Sequence, residues 1–341
     1  MGVTLTSMKK LKKISKIMAI TILSILVVGI AMYLVGPKPA SPKFVTPEIR
    51  LPNDLAELEM QIHIAERSTN GIRPGCEAKI VWANDSVKKK TRYSFVYLHG
   101  GTSSHVDGDP VHRNIASRYQ ANLYLARLAG HGVNLGDSTL ADETADDYFY
   151  SAEYALAVGK KLGHEVIVMG TSFGGALTTY LASKHPEIKT IVLFSPCIET
   201  YDQRTTFFTK PWGTKLVKFM VKSQTFDVVT PSDVYRKYWT THYNLNFIAE
   251  FQNFLSHANT PENFRKITSP TFLAYWYKDE NVKDTVASVP AMLKMFDQLG
   301  AKVKEKQAFP NAGNHALTTP ILAHDVESVE KATVKFLDKV L

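Results

Sequence analysis

Cysteine is scarce here: Cys76 and Cys197 are the only two in 341 residues. A disulfide-stapled miniprotein needs far more, so that class is excluded; the two could pair in an oxidising compartment, but sequence does not bring them together, and two buried free thiols are the expectation. Polar excess is missing as well. With 45% hydrophobic and 21% charged residues the chain can bury a core, which excludes wholesale disorder. The 19 glycines and 16 prolines form no collagen-like period, and no repeat of solenoid length occurs. A basic folded surface is the next absence. The formal charge is +8, yet residues 1–36 hold five lysines (Lys9, Lys10, Lys12, Lys13, Lys16) and no acid, leaving 8 − 5 = +3 for the rest. A nucleic-acid binder keeps its basic excess on the folded part, so that partner is excluded.

What is present begins with a long apolar run. Ile17 through Val35 holds 19 residues without a charge, follows the lysine cluster and ends at Gly36-Pro37. At about 1.5 Å per residue it reaches roughly 28 Å, close to the hydrocarbon thickness of a bilayer. A core helix would alternate polar and apolar faces, and this run is apolar all round. The lysines predict a cytoplasmic N-terminus and a translocated remainder, extracytoplasmic. A cleaved signal peptide is the alternative to an anchor. The run exceeds a usual signal core of about 7–15 residues, and the small-residue pattern Gly29-Ile30-Ala31 lies inside it, so an uncleaved anchor is favoured. Five prolines follow (Pro37, Pro39, Pro42, Pro47, Pro52), which predict an extended stalk over 37–53 holding the folded part, 54–341, off the membrane.

Within the folded part, residues 54–68 read as a helix with Leu55, Leu58, Ile62 and Ala65 on one face. Strands are expected at Ala78–Ala83 and Tyr93–Leu98. Further apolar runs are Asn122–Leu128, Glu165–Met169, Thr190–Phe194, Thr271–Tyr277 and, more weakly, Lys302–Phe309. Helical patterns alternate with them near 111–119, 143–161, 174–184, 288–299 and 321–340. That alternation predicts an α/β protein with a mostly parallel sheet and helices on both faces. Residues 198–265 break the alternation: these 68 residues contain 14 of the chain's 36 aromatics. They read as a helical cap insertion over a ligand site, some of whose rings line an apolar pocket.

The chemistry centres on Gly170-Thr171-Ser172-Phe173-Gly174, directly after a strand and directly before a helix. A serine on such a turn projects its hydroxyl clear of the sheet, and the helix N-terminus offers backbone N–H groups to a developing oxyanion. Seventy residues upstream a strand ends in His99-Gly100-Gly101, whose N–H groups can face the nucleophile from the other side. Gly101 and Phe173 N–H are the expected oxyanion donors. A separate cluster, His105-Val106-Asp107-Gly108-Asp109-Pro110-Val111-His112, offers two carboxylates and two imidazoles. With no further ligand cluster it reads as a polar loop, Asp109 capping a helix, and not as a metal site.

Those residues, with Ala126-Arg127-Leu128-Ala129-Gly130-His131-Gly132, resemble the α/β-hydrolase fold and, within it, carboxylesterases and monoacylglycerol-lipase-like enzymes. The likeness runs from about Tyr93 to the C-terminus. It implies a serine hydrolase that cleaves carboxylic esters through an acyl-enzyme without a cofactor, with an apolar ester as substrate. Amidases and peptidases of the fold share the nucleophile chemistry, and a non-catalytic binding protein on the same scaffold is the reading from another class. The base comes last in the order nucleophile, acid, histidine. His315 lies in a polar loop after the final strand, whereas His324 falls inside the expected last helix and His131 reads as pocket architecture. Two acids compete. Asp279 lies nine residues after Pro270, a spacing familiar in the family. Asp284 leads into a helix entry at Ser288 and Pro290 and leaves the extra residues in the polar stretch 278–283. Asp284 is favoured and Asp279 is the alternative.

Overall fold

The computed structural model describes residues 5–341 apart from 47 and 231, so Pro47 of the expected stalk lies outside the described residues. Helix α1 (Leu5–Leu34) contains a stretch, Met8–Leu34, long and apolar enough to cross a membrane, and none of that stretch is buried. The folded part runs α2 (Leu55–Ser68), β1 (Lys79–Val81), β2 (Thr91–Leu98), α3 (Val111–Arg118), β3 (Asn122–Leu125), α4 (Ala145–Leu162), β4 (Gly163–Thr171), α5 (Phe173–Lys184) and β5 (Thr190–Phe194). Next come α6 (Gly213–Val221), β6 (Thr225–Asp227), α7 (Asp233–Tyr238), β7 (His242–Asn244), α8 (Asn246–Ala258) and α9 (Pro261–Lys266). The chain closes with β8 (Thr271–Tyr275), α10 (Val289–Gln298), β9 (Lys304–Ala308) and α11 (Val326–Val340).

Seven strands form one sheet in the order β1-β3-β2-β4-β5-β8-β9, parallel throughout except for β1 against β3. Its inner strands are buried on both faces, which is why β2, β4 and β5 read as continuous apolar runs in place of an alternating pattern. One core packs α2, α4, α5 and α10 on one face, and a second packs α3 and α11 on the other. This is the α/β-hydrolase architecture expected from the sequence, with α6 through α9 inserted between β5 and β8.

Several boundaries differ from expectation, each for a local reason. β3 stops at Leu125, because Leu128 N–H turns inward to His99 Nε2 at 3.1 Å. The last helix begins at Val326 and not near 321. Residues 319–324 instead form a turn in which His324 N–H donates to Ala312 O at 2.9 Å, so His324 sits in an exposed loop ahead of the helix. The insertion also contains a two-stranded antiparallel ribbon, β6 with β7. Asp109 does not cap α3; its carboxylate pairs with Arg113 Nε at 3.3 Å.

The Pro-rich segment departs most. Expected as a free stalk, it lies along the domain as a strap. Trp212 N–H donates to Pro37 O at 2.8 Å, Asn253 Nδ2 to Ala40 O at 2.8 Å, and Phe44 N–H to Asp146 Oδ1 at 2.6 Å. The Phe44 ring packs on Phe149, Tyr180 and Phe254 at centroid distances of 5.4, 4.8 and 5.4 Å. Proline's missing N–H does not prevent this, because the strap bonds through its carbonyls at Pro37 and Ala40 and through the N–H groups of non-proline residues. Cys76 and Cys197 are buried and unpaired.

Candidate active site

Parallel strands present their C-terminal ends along one edge of the sheet, and four of the expected site segments meet there. His99-Gly100-Gly101 follows β2, Ser172 follows β4, Asp284 lies in the loop after β8, and His315 lies in the loop after β9. Ser172 has φ 53° and ψ −113°, a backbone that L-residues rarely adopt and that costs of order 1–3 kcal/mol. Neighbouring backbone holds it there: Ser172 N–H donates to Phe194 O at 3.0 Å, and Cys197 N–H donates to Ser172 O at 2.8 Å. Phe194 ends β5 and Cys197 lies three residues beyond it, so the turn is clamped by the adjacent strand and the loop that follows it.

The glycines leave room for a close approach. A Cβ on Gly100 would stand 3.2 Å from Ser172 Cβ and 3.0 Å from Asp107 Oδ2. One on Gly101 would stand 3.7 Å from Phe173 Cβ and 3.1 Å from Phe247 Cζ. Gly101 and Phe173 are therefore neighbours on either side of the serine turn. Phe173 is the first residue of α5, so its N–H has no acceptor within the helix.

The acid candidates separate cleanly in geometry. Asp284 is fully buried, and its Oδ2 lies 2.5 Å from His315 Nδ1. Its Oδ1 accepts the N–H groups of Val286 and Ala287 at 2.8 and 3.0 Å. Burial alone would raise its pKa, but His315 and those two N–H groups outweigh it and hold the carboxyl below its ordinary value. A carboxylate can only accept, so Nδ1 carries the proton, and in the neutral imidazole Nε2 then holds the lone pair. Nε2 is buried and has no hydrogen-bond partner among the described residues. Asp279 is exposed and turns its Oδ1 to the N–H groups of Asn281 and Val282 at 2.8 and 2.9 Å.

Sequence reasoning missed the role of Asp107. This fully buried carboxylate accepts Gly100 N–H at 2.7 Å and the Ser103 hydroxyl at 2.6 Å on Oδ2, and the Tyr97 hydroxyl at 2.6 Å on Oδ1. Tyr97 in turn meets Thr171 Oγ1 at 2.7 Å, one residue before Ser172. The Asp107 carbonyl accepts the Thr318 hydroxyl at 2.6 Å, three residues after His315. One residue thus ties together the glycine turn, the serine turn and the histidine loop. Burial raises its pKa to about 6 against the lowering pull of its donors and of His315. In the same loop His112 Nε2 pairs with His105 O at 2.8 Å, whereas His112 Nδ1 and both ring nitrogens of His105 are buried without a partner among the described residues. The signal available in the sequence was only a carboxylate near a His-Gly-Gly turn.

Two histidines complete the floor. His99 is fully buried, which pushes its pKa well down, and it bridges Gly100 O and Leu128 N–H. His131 is buried, its pKa pushed down to about 4, and its ring packs on Tyr148 and Phe247. The cap reaches over this floor. Phe251 and Phe254 of α8 pack on Phe173, Phe247 stacks on Phe251, and Thr240 N–H donates to Thr102 O at 2.6 Å. A separate cleft of about 630 Å³ opens between the strap, the start of α4 and α6, and neither Ser172, Asp284 nor His315 lines it.

The model of the Alpha/beta hydrolase family matches residues 95–329. The thermostable monoacylglycerol lipase of Bacillus sp. (strain H-257) is 34% identical over 90 residues. That stretch is 26% of this chain and only 35% of the relative's own length. Among solved structures, one of the metagenome-derived lipolytic enzymes LipS and LipT superposes with a TM-score of 0.62 at 17% identity, covering 79% of this chain and 99% of the other. A soluble variant of monoglyceride lipase from Saccharomyces cerevisiae superposes with a TM-score of 0.60 at 15% identity, covering 89% and 98%. At those identities the superpositions speak for the fold.

Proposed function

The chain belongs to the alpha/beta hydrolase family, and from that premise we propose that it is a serine hydrolase of carboxylic esters working through an acyl-enzyme. The observation that carries the reading is the His315–Asp284 pair, whose unpartnered Nε2 shares one sheet edge with the strained Ser172 turn. His315 Nε2 takes the Ser172 hydroxyl proton as Oγ attacks the ester carbonyl. The N–H groups of Gly101 and Phe173 hold the oxyanion, the protonated Nε2 gives its proton to the departing alcohol, and water repeats the sequence to release the acid. Asp284 keeps Nδ1 protonated throughout.

The substrate class rests on two supports: the lipase-like relatives and the aromatic cap side chains beside Gly101 and Phe173. Both favour an apolar, lipid-type ester. The apolar N-terminal helix supports a membrane-anchored enzyme, and the lysines before it support an extracytoplasmic catalytic domain.

The test is a panel of p-nitrophenyl esters of increasing acyl length, with the matching anilides, on wild type and Ser172→Ala. Activity should peak at medium or long acyl chains, and the alanine variant should lose about 10³-fold or more. A fluorophosphonate probe should label Ser172 in the folded wild type. No label there would defeat the reading, and anilides turned over faster than esters would move the enzyme to the amidases.

A further inference from the structure

We propose that the cap is a second membrane contact, with helix α6 lying in the lipid headgroup region beside the point where α1 leaves the bilayer. The proposal takes the membrane-anchor reading of α1 as given and is independent of the reaction.

The argument starts from the strap. Because the segment after α1 is bound to the domain, no free spacer separates the two. Trp212, the residue before α6, holds the end of the anchor directly: its Nε1–H donates to Met32 O at 3.0 Å and its N–H to Pro37 O at 2.8 Å. Gly36 is buried under the Trp212 ring, where a Cβ would stand 2.0 Å from Nε1. The apolar run ends at Val35, so Trp212 sits at the level where hydrocarbon gives way to headgroups. An indole with a polar N–H favours that level.

From Trp212 the chain runs straight into α6, whose exposed face is apolar. Phe219 is 81% exposed and Met220 75%, with Leu216 and Val221 exposed beside them. An 80% exposed phenylalanine next to an exposed methionine is not what a surface facing water alone carries. Lys215 and Lys222 are exposed on the same short helix and its end, Lys215 lying over the Trp212 ring at 5.8 Å, while Lys218 turns its Nζ inward to Asn244 and Asn246 Oδ1 at 3.1 and 2.9 Å. Apolar tips interleaved with lysines are the composition of a helix lying in a membrane interface, where the lysine heads reach acidic phosphates. The occupant is therefore a lipid surface, chosen by continuity with the anchor and by charge. Docked this way, the cap that overhangs Gly101 meets the phase in which an apolar ester is dissolved.

The experiment uses the full chain in phosphatidylcholine–phosphatidylglycerol vesicles. Cys76 and Cys197 are buried, so an environment-sensitive fluorophore can be placed by Phe219→Cys or, as reference, by Val87→Cys. Val87 is exposed in the turn before β2, at the opposite edge of the sheet. Nitroxide-labelled lipid should quench the label at 219 several-fold more than the label at 87. Equal quenching at the two positions overturns the proposal. A blue-shifted label at 219 that lipid fails to quench overturns it too, since a second copy of the chain would then cover the face. A double variant, Phe219→Glu with Met220→Glu, should keep turnover of a water-soluble butyrate ester and lose about tenfold on a monoacylglycerol held in vesicles. An equal effect on both substrates counts against docking. If wild type turns over neither ester, the hydrolase reading falls and the quenching comparison alone decides docking.

Discussion

Asp279 and Asp284 stand five residues apart, and the difference between them is what each carboxylate faces. Asp279 turns back on its own loop, whereas Asp284 is buried against an imidazole. Under the proposed acyl-enzyme route, Asp284→Asn should therefore lower kcat by about 10⁴, as loss of the acid does in known triads, with the circular dichroism spectrum unchanged. Asp279→Asn should stay within about twofold, and the reverse pattern in ester assays would move the role. Chain spacing points to Asp284 through a helix entry at Ser288, and Ser288 does cap α10. Asp107 was not legible, since its partners come from β2, the glycine turn and the histidine loop, which only the fold assembles. Asp107→Asn presents an amide N–H₂ where the carboxylate accepts N–H and O–H donors, so the Gly100-Gly101 turn should loosen. A drop in kcat of about 10- to 100-fold with little change in KM is expected. A second readout follows from its pKa of about 6, raised above the roughly 3.9 of an unfolded aspartate. The folded state holds this proton more tightly, so the carboxyl favours folding below pH 4 and that contribution is lost as pH rises through about 6. Urea titrations of wild type should show stability falling across that window relative to the variant; parallel curves would show that Asp107 does not titrate there.

Among elements, the apolar strands of the sheet were readable because they are buried on both faces, and the serine turn was readable because it needs a strand before it and a helix after it. The ribbon of β6 and β7 was not, since three-residue strands give no measurable alternation. The strap differs from the expected stalk for another reason. Five prolines describe an extended backbone correctly, but extension says nothing about whether the segment is docked. One aromatic, Phe44, decides that by packing among three rings of α4, α5 and α8. A chain shortened to begin at Gly36 should melt close to the full-length protein. Beginning at residue 46 removes Phe44 and the bonds to Asp146, a loss of about 2–4 kcal/mol by comparison with buried aromatic truncations. That corresponds to a melting temperature lower by about 5–10 °C in calorimetry. Equal melting of both chains would show that the strap contributes nothing.

For the whole molecule, the distribution of charge carries the last prediction. The five lysines before the apolar run are the strongest local excess of one sign, and the folded part that follows is nearly balanced. Lysine and arginine flanking a span are retained on the cytoplasmic side, while a large domain after the span crosses largely regardless of its own charge. Alkaline phosphatase fused after Leu341 should therefore be active in bacterial cells, and green fluorescent protein fused there through the same export route should be dark. Replacing Lys9, Lys10, Lys12, Lys13 and Lys16 with Gln removes the retention signal and should lower the phosphatase reading several-fold. A bright fluorescent fusion with a silent phosphatase would place the folded domain in the cytoplasm. In that case the headgroups that α6 meets would be those of the inner leaflet, because Trp212 binds the end of α1 in either orientation.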